Sequence, residues 1–205
     1  MNAIGLVLGF DAGSYHLAGQ DVSNISEKKR GKYRNQFFGY VVQDFALIPQ
    51  YSVMENILLP TVISRKKSGV MRKKAISLAE RLNVEHLSKQ KTVSLSGGEK
   101  QRVAICRALI NEPDIILADE PAGALDSGNS EIVMGILSEL NREGKTVILV
   151  THDTEQAKRC GRILEIKDGQ LVNDCVSGAA ASCHGTVKDY LSSFLSYSSR
   201  TDTGK

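Results

Sequence analysis

The chain has 205 residues, 41% of them hydrophobic and 24% charged, with a formal net charge of +3 at pH 7. These proportions are those of a globular domain and exclude a disordered, collagen-like or fibrous chain; the length fits one domain with a tail. No run of about 18 apolar residues offers a membrane span, no cationic-then-apolar leader opens the chain, and so small a charge does not argue for nucleic acid.

Short apolar runs alternate with helical patterns, which predicts an α/β domain built on a mainly parallel sheet. Phe37 to Val42 (FFGYVV) reads as a strand. From Asp44 to Leu95 the pattern is helical, with Met71, Ala75, Leu78 and Leu82 at helical spacing, and it predicts a helical subdomain inserted into the α/β core. Within it, Arg65–Lys74 holds six basic residues in ten, read as a solvated face, with an acidic membrane surface or partner as the sharper alternative. Ser96 is expected to cap a helix starting at Gly97, with Glu99 completing a capping box and Val103, Ala104, Ala108 and Leu109 on its apolar face.

Ile115 to Ala118 (IILA) and Val147 to Val150 (VILV) read as strands buried on both faces. Between them Ile132, Ile136 and Leu140, beside Val133 and Leu137, form one apolar helix face. The strand, helix and strand make a βαβ unit. Gly161 to Val172, with Asp168-Gly169 between two β runs, reads as a hairpin. Residues 177–205 carry seven serines and little periodicity, predicting a mobile tail or weak helix around Tyr190–Leu195. Cys106, Cys160, Cys175 and Cys183 are far apart and form no C-x-x-C pair, so reduced thiols of a cytosolic protein are expected.

Four stretches concentrate the chemistry. Two glycines, Gly97 and Gly98, follow Ser96 at a helix mouth, where backbone N–H groups and the helix dipole favour an anion; a capped helix without ligand is the plain alternative. Asp119 and Glu120 leave the carboxyl end of a buried strand, the edge at which open α/β sheets bind ligands. One carboxylate can hold Mg²⁺, and the next can orient or deprotonate a water. Thr151-His152-Asp153 leaves the neighbouring strand at the same edge, Gln43 leaves FFGYVV, and Asp126 follows the acidic pair.

The order VVQDF (41–45), LSGGEKQRVAICRAL (95–109), IILADEPAGALD (115–126) and THD (151–153) resembles the ATP-binding-cassette (ABC) ATPases over about residues 1–175. ADEPAGALD and MENILLP look most like the subgroup serving macrolide, peptide or bacteriocin export and lipoprotein release, with Ala122 where that subgroup usually has Thr. The resemblance implies an ATP-binding subunit, peripheral on the cytoplasmic face of the membrane, that works with a permease and a second nucleotide-binding subunit. Gln43 would sense Mg²⁺ and γ-phosphate and couple to the permease. Ser96, Gly97 and Gly98, with Glu99 beside them, would serve ATP held by the opposite subunit. Asp119 would act on Mg²⁺, Glu120 as general base, Asp126 across the dimer and His152 near the γ-phosphate. The chromosome-maintenance branch of the fold is not expected, because no sustained heptads lie between Gln43 and Ser96.

The family's phosphate-binding loop, G-x-x-x-x-G-K-[ST], has no match in these residues; Lys32 follows Gly31 but lacks the remaining pattern. Met1–Leu6 looks like the helix after that loop, and Asp11–Ser14 with Ala18–Asp21 like the next strand and turn. The chain is therefore expected to begin just after the loop, without the family's first strand, leaving an apolar sheet edge exposed. A longer natural chain is the preferred explanation. The alternative is a degenerate subunit that lends its signature to a loop-bearing partner.

Overall fold

The computed structural model describes residues 1–64, 67–176 and 195–196. Its centre is a three-stranded parallel sheet of β3 (Phe38–Val42), β4 (Ile115–Asp119) and β5 (Thr146–Val150), in that spatial order. Val42 pairs with Asp119 and Asp119 with Val150, so the three carboxyl ends are level. In β4 the first four residues are buried and Asp119 at its end is half-buried. A hydrophobic strand covered on both faces demands this parallel arrangement.

One face is covered by α2 (Val53–Ser64), α3 (Ser68–Arg81), α4 (Gly97–Leu109) and α5 (Ser127–Arg142), whose Ile57, Ala75, Ile105 and Val133 meet Ile116 in one core. Replacing Ile116 by Ala removes about 2–5 kcal/mol of stability at such a site. Close packing there needs Gly39: a Cβ at that position would lie 2.7 Å from the Ala108 carbonyl of α4. The other face is covered by residues 1–8 and by a hairpin of β1 (Ser14–Leu17) and β2 (Gln20–Asp21), with Leu6, Tyr15, Leu17 and Val22 packed on Phe38 and Leu117. Ala18 and Gly19, both at positive φ, make the hairpin's tight turn.

Several expectations are met. The strand at Phe38–Val42, the capped helix from Gly97, the parallel β4–α5–β5 unit and the hairpin of β6 (Arg162–Lys167) and β7 (Gln170–Val176) are all present. Asp168 and Gly169, both at positive φ, turn that hairpin. No helix among the described residues is long and apolar enough to cross a membrane.

Others are corrected. Residues 1–8 make hydrogen-bonded turns, such as Gly5 N–H to Met1 O at 3.0 Å, and no assigned helix. VILV is only half-buried and Val150 is 42% exposed, because β5 ends the sheet and no strand pairs with its outer side among the described residues. The buried stripe of α5 is Val133, Met134, Leu137 and Leu140, while Ile132 faces solvent. An unpredicted helix, α1 (Glu27–Phe37), buries no residue and packs Tyr33 on Phe37 at 5.4 Å between ring centroids. Leu195 lies in a two-residue strand, β8 (Leu195–Ser196), paired with β1, where a weak helix was expected. The rest of the serine-rich tail, Cys183, Arg65 and Lys66 lie outside the described residues. Among the described residues Cys106, Cys160 and Cys175 form no disulfide with one another.

Candidate functional site

The level strand ends bring the predicted residues together. Gln43, Glu120 and Thr151-His152 each continue a strand at the same edge, and adjacent strands lie about 4.8 Å apart. The Glu120 backbone has φ of 45°, a left-handed conformation that is strained for a residue with a side chain. Its N–H donates to the Val150 carbonyl at 2.8 Å, tying the turn to β5. Its carboxylate accepts the His152 backbone N–H at 2.7 Å and the Thr151 hydroxyl at 3.2 Å, and meets His152 Nδ1 at 2.6 Å. Thr151 and α6 (Thr154–Ala157), capped by Asp153, fix the loop that presents His152.

Gln43 reaches the same place. A Cβ on Gly123 would lie 3.4 Å from Gln43 Nε2 and 3.5 Å from the Glu120 Cβ, so the amide and the carboxylate flank one small residue. Asp119, at the end of β4, and Gln43 make no side-chain hydrogen bonds among the described residues. A half-buried carboxylate and an unengaged amide at one sheet edge would suit a hard cation that takes few protein ligands and completes its shell with water and phosphate. No group of three or more His, Cys, Asp or Glu side chains that could hold a metal occurs among the described residues.

The mouth of α4 is a second centre. Ser96 caps it: the Glu99 N–H donates to Ser96 Oγ at 3.4 Å, while the Ser96 N–H and hydroxyl donate to Glu99 Oε2 at 2.7 and 2.8 Å. The Ser96 backbone hydrogen bond, then its hydroxyl, holds the Glu99 carboxyl below the ordinary range. The glycines have a packing reason of their own. A Cβ on Gly98 would overlap Asn129 Oδ1, and one on Gly97 would lie 3.3 Å from Leu125 and 3.9 Å from Phe45. The mouth thus abuts the loops that follow both Gln43 and Glu120.

Asp126 is engaged within its own chain. It caps α5, accepting the Asn129 N–H at 2.9 Å and the Asn129 amide at 2.7 Å, and its carboxyl is lowered, first by that backbone hydrogen bond. Asn129 Oδ1 in turn meets Arg102 Nη1 at 3.4 Å, linking α5 to α4.

Three side chains that the sequence did not single out hold this arrangement. Asn129 joins α4 to the cap of α5. Gln101, fully buried in α4, donates from Nε2 to the Pro121 carbonyl at 2.6 Å. Arg107, also in α4, donates from Nη2 to the Phe45 carbonyl at 2.9 Å and from Nη1 to the Ala46 carbonyl. Phe45 and Ala46 have φ of 63° and 46°, so the turn after Gln43 is also left-handed and held from α4. Only the Asp126-x-x-Asn129 spacing carries a local cue, that of a helix cap; the other two contacts join residues at least 20 apart.

The family profile that matches this chain is that of the ABC transporter, over residues 1–123. An uncharacterized ABC transporter ATP-binding protein of Bacillus subtilis, YvrO, is 41% identical over 174 residues, covering 85% of this chain and 76% of the relative. The macrolide export ATP-binding/permease protein MacB of Chlorobaculum tepidum is 42% identical over 174 residues, covering 85% of this chain and 27% of the relative. The chain therefore spans about a quarter of that exporter's length. Among solved structures, the dimeric bacterial ABC transporter cassette MJ0796 is 37% identical with a TM-score of 0.78, over 85% of this chain and 78% of the cassette. A post-hydrolysis dimer of the same cassette, bound to ADP and Pi, matches with the same TM-score at 36% identity.

Proposed function

Because the chain belongs to the ABC transporter family and is an ABC-type ATPase by that membership, we propose that it is the ATP-binding cassette of an exporter. It would act in a dimer of such subunits at the cytoplasmic face of a membrane and drive a separate permease. The observation that carries this reading is the register Val42–Asp119–Val150, which sets Gln43, Glu120 and His152 at one edge with Asp119 between them. Residues 1–175 would form the cassette, with 44–95 as its helical subdomain.

The chemistry follows from the groups in hand. Asp119 and Gln43 would hold Mg²⁺, which supplies charge neutralisation for the phosphates. Glu120 orients or deprotonates the attacking water through the lone pairs that Thr151 and His152 leave open. His152 steadies that carboxylate and turns its ring edge to the reacting phosphate. Ser96, Gly97 and Gly98 present backbone N–H groups to the ATP of the opposite subunit. Catalysis of this kind is mostly positioning and charge stabilisation.

Glu120→Gln, assayed in the assembled transporter, tests the reading. Retained ATP binding with turnover lowered by about 10²-fold or more is expected for loss of a general base; unchanged turnover would refute it.

A further inference from the structure

Gln101 is fully buried in the second turn of α4, and its Oε1 meets no donor among the described residues. A buried amide with one end unsatisfied weakens a core relative to an apolar side chain of the same shape. Core stability therefore does not explain a glutamine here. Its Nε2 explains more, because it donates to the Pro121 carbonyl at 2.6 Å, one residue beyond Glu120.

The turn it grips is strained, with Glu120 at φ 45°, and strained backbone persists only where its surroundings over-determine it. Two backbone bonds act on Glu120 itself: its N–H to the Val150 carbonyl at 2.8 Å, and the Gly123 N–H to its carbonyl at 3.1 Å. Pro121 has no N–H to offer, so its peptide is held through the carbonyl alone, by Gln101. Gln101 sits four positions after Gly97, within the same rigid helix.

We infer that Gln101 is a positioning residue for Glu120, fastening the turn that carries the carboxylate to the helix that opens at Ser96. The aim of Glu120 is then set by the position of α4, and a displacement at the Ser96–Gly98 mouth reaches the carboxylate through one helical turn and one hydrogen bond. This rests on Glu120 being the group that acts on water.

Gln101→Met keeps the volume and removes the donor. Three readouts are taken on it: the thermal midpoint, the ¹⁵N shifts of the His152 ring in the isolated chain, and kcat and KM for ATP in the assembled transporter. The expected result is an unchanged or raised midpoint, displaced His152 shifts, and kcat lowered about tenfold to a hundredfold at unchanged KM. Unchanged His152 shifts, or a loss of kcat that merely tracks a fallen midpoint, would overturn the inference. Should Gln101→Met fail to fold, the wild-type chain decides. Slow exchange of the Gln101 amide protons with a nuclear Overhauser contact to Ala122 supports the tie, and a fast-exchanging amide without that contact removes it. Unchanged turnover in Glu120→Gln would sink the functional reading on its own, independently of the His152 shifts.

Discussion

Glu120 Oε1 receives both the backbone N–H of His152, at 2.7 Å, and the ring Nδ1 of the same residue, at 2.6 Å. An ionised carboxylate only accepts hydrogen bonds, so the pairing puts the proton on Nδ1. The ring is 84% exposed while the Glu120 side chain is 19% exposed, so Nε2 is the atom turned outward. A strained residue just past the end of one strand thus fixes the tautomer of a histidine just past the end of the next, and the histidine in return fixes the direction of the carboxylate.

Glu120→Ala should therefore release the ring. In the isolated chain the ¹⁵N spectrum of His152 should change from a predominantly Nδ1–H pattern to a mixture. His152→Ala in the assembled transporter should lower kcat by about tenfold to a hundredfold. An unaltered His152 spectrum in Glu120→Ala would mean that the pair does not exist in solution.

Carboxyl groups held low in the folded chain, among them Glu99, Asp126, Asp153 and Asp174, give the fold a defined response to acid. Glu99 is held low chiefly by the Ser96 N–H, Asp126 by the Asn129 N–H, Asp153 by the Glu155 N–H, and Asp174 by the Arg162 side chain. Each folded value lies below the unfolded one. Their stabilisation is therefore complete above the ordinary carboxylate range, about 4, and is lost as pH falls through the depressed folded values. The urea midpoint should fall with acid in that window, and Asp126→Asn and Asp174→Asn should each flatten the fall.

Two glycine substitutions should separate core from site. Gly39→Ala drives a Cβ against the Ala108 carbonyl, a backbone atom that cannot swing aside; overpacking of this kind costs about 1–3 kcal/mol. Gly98→Ala meets the end of the Asn129 side chain, which can move only by giving up its bonds to Asp126 and Arg102. A smaller loss of about 1 kcal/mol, that of a helix cap, is expected in chemical denaturation, with a disproportionate loss of ATP turnover.

The turn after Gln43 depends on a fork. Arg107 reaches two carbonyls, Phe45 and Ala46, from one planar guanidinium, and lysine cannot reproduce that geometry. In Arg107→Lys the amides of Phe45 and Ala46, which bond Val42 and Asp44 carbonyls in the folded chain, should exchange with deuterium about tenfold faster, while amides of β4 are unaffected.

What could be read from the chain follows the range of each interaction. The capping box at Ser96 and Glu99 closes within three residues, so residue types and spacing sufficed. The run IILA (115–118) is buried all round and announces itself by continuous apolarity. Helix α1 left little trace, since it buries no residue fully and sets only Tyr33 and Phe37 partly against the core. VILV read as fully buried because composition does not report whether a neighbour stands on the far side of a strand. Gln101, Arg107 and Asn129 were invisible for the opposite reason: their roles lie in contacts that only the folded chain brings together. That an acidic pair at a strand end could hold Mg²⁺ and act on water followed from its chemistry; which of Asp119 and Glu120 does which, and the role of His152, came from resemblance.

The outer side of β5 bears on handling as much as on folding. Among the described residues no strand pairs with it there, and its outward N–H and C=O groups stand in a row beside half-buried Val147 and Leu149 and an exposed Val150. Such a rim is a template for any extended chain that meets it, including another copy of the same polypeptide. The soluble yield of these 205 residues expressed alone should therefore depend on concentration and on chaperone supply. Dilution, slower synthesis or an added peptide able to lie along the rim should raise recovery more than any mutation that strengthens the core.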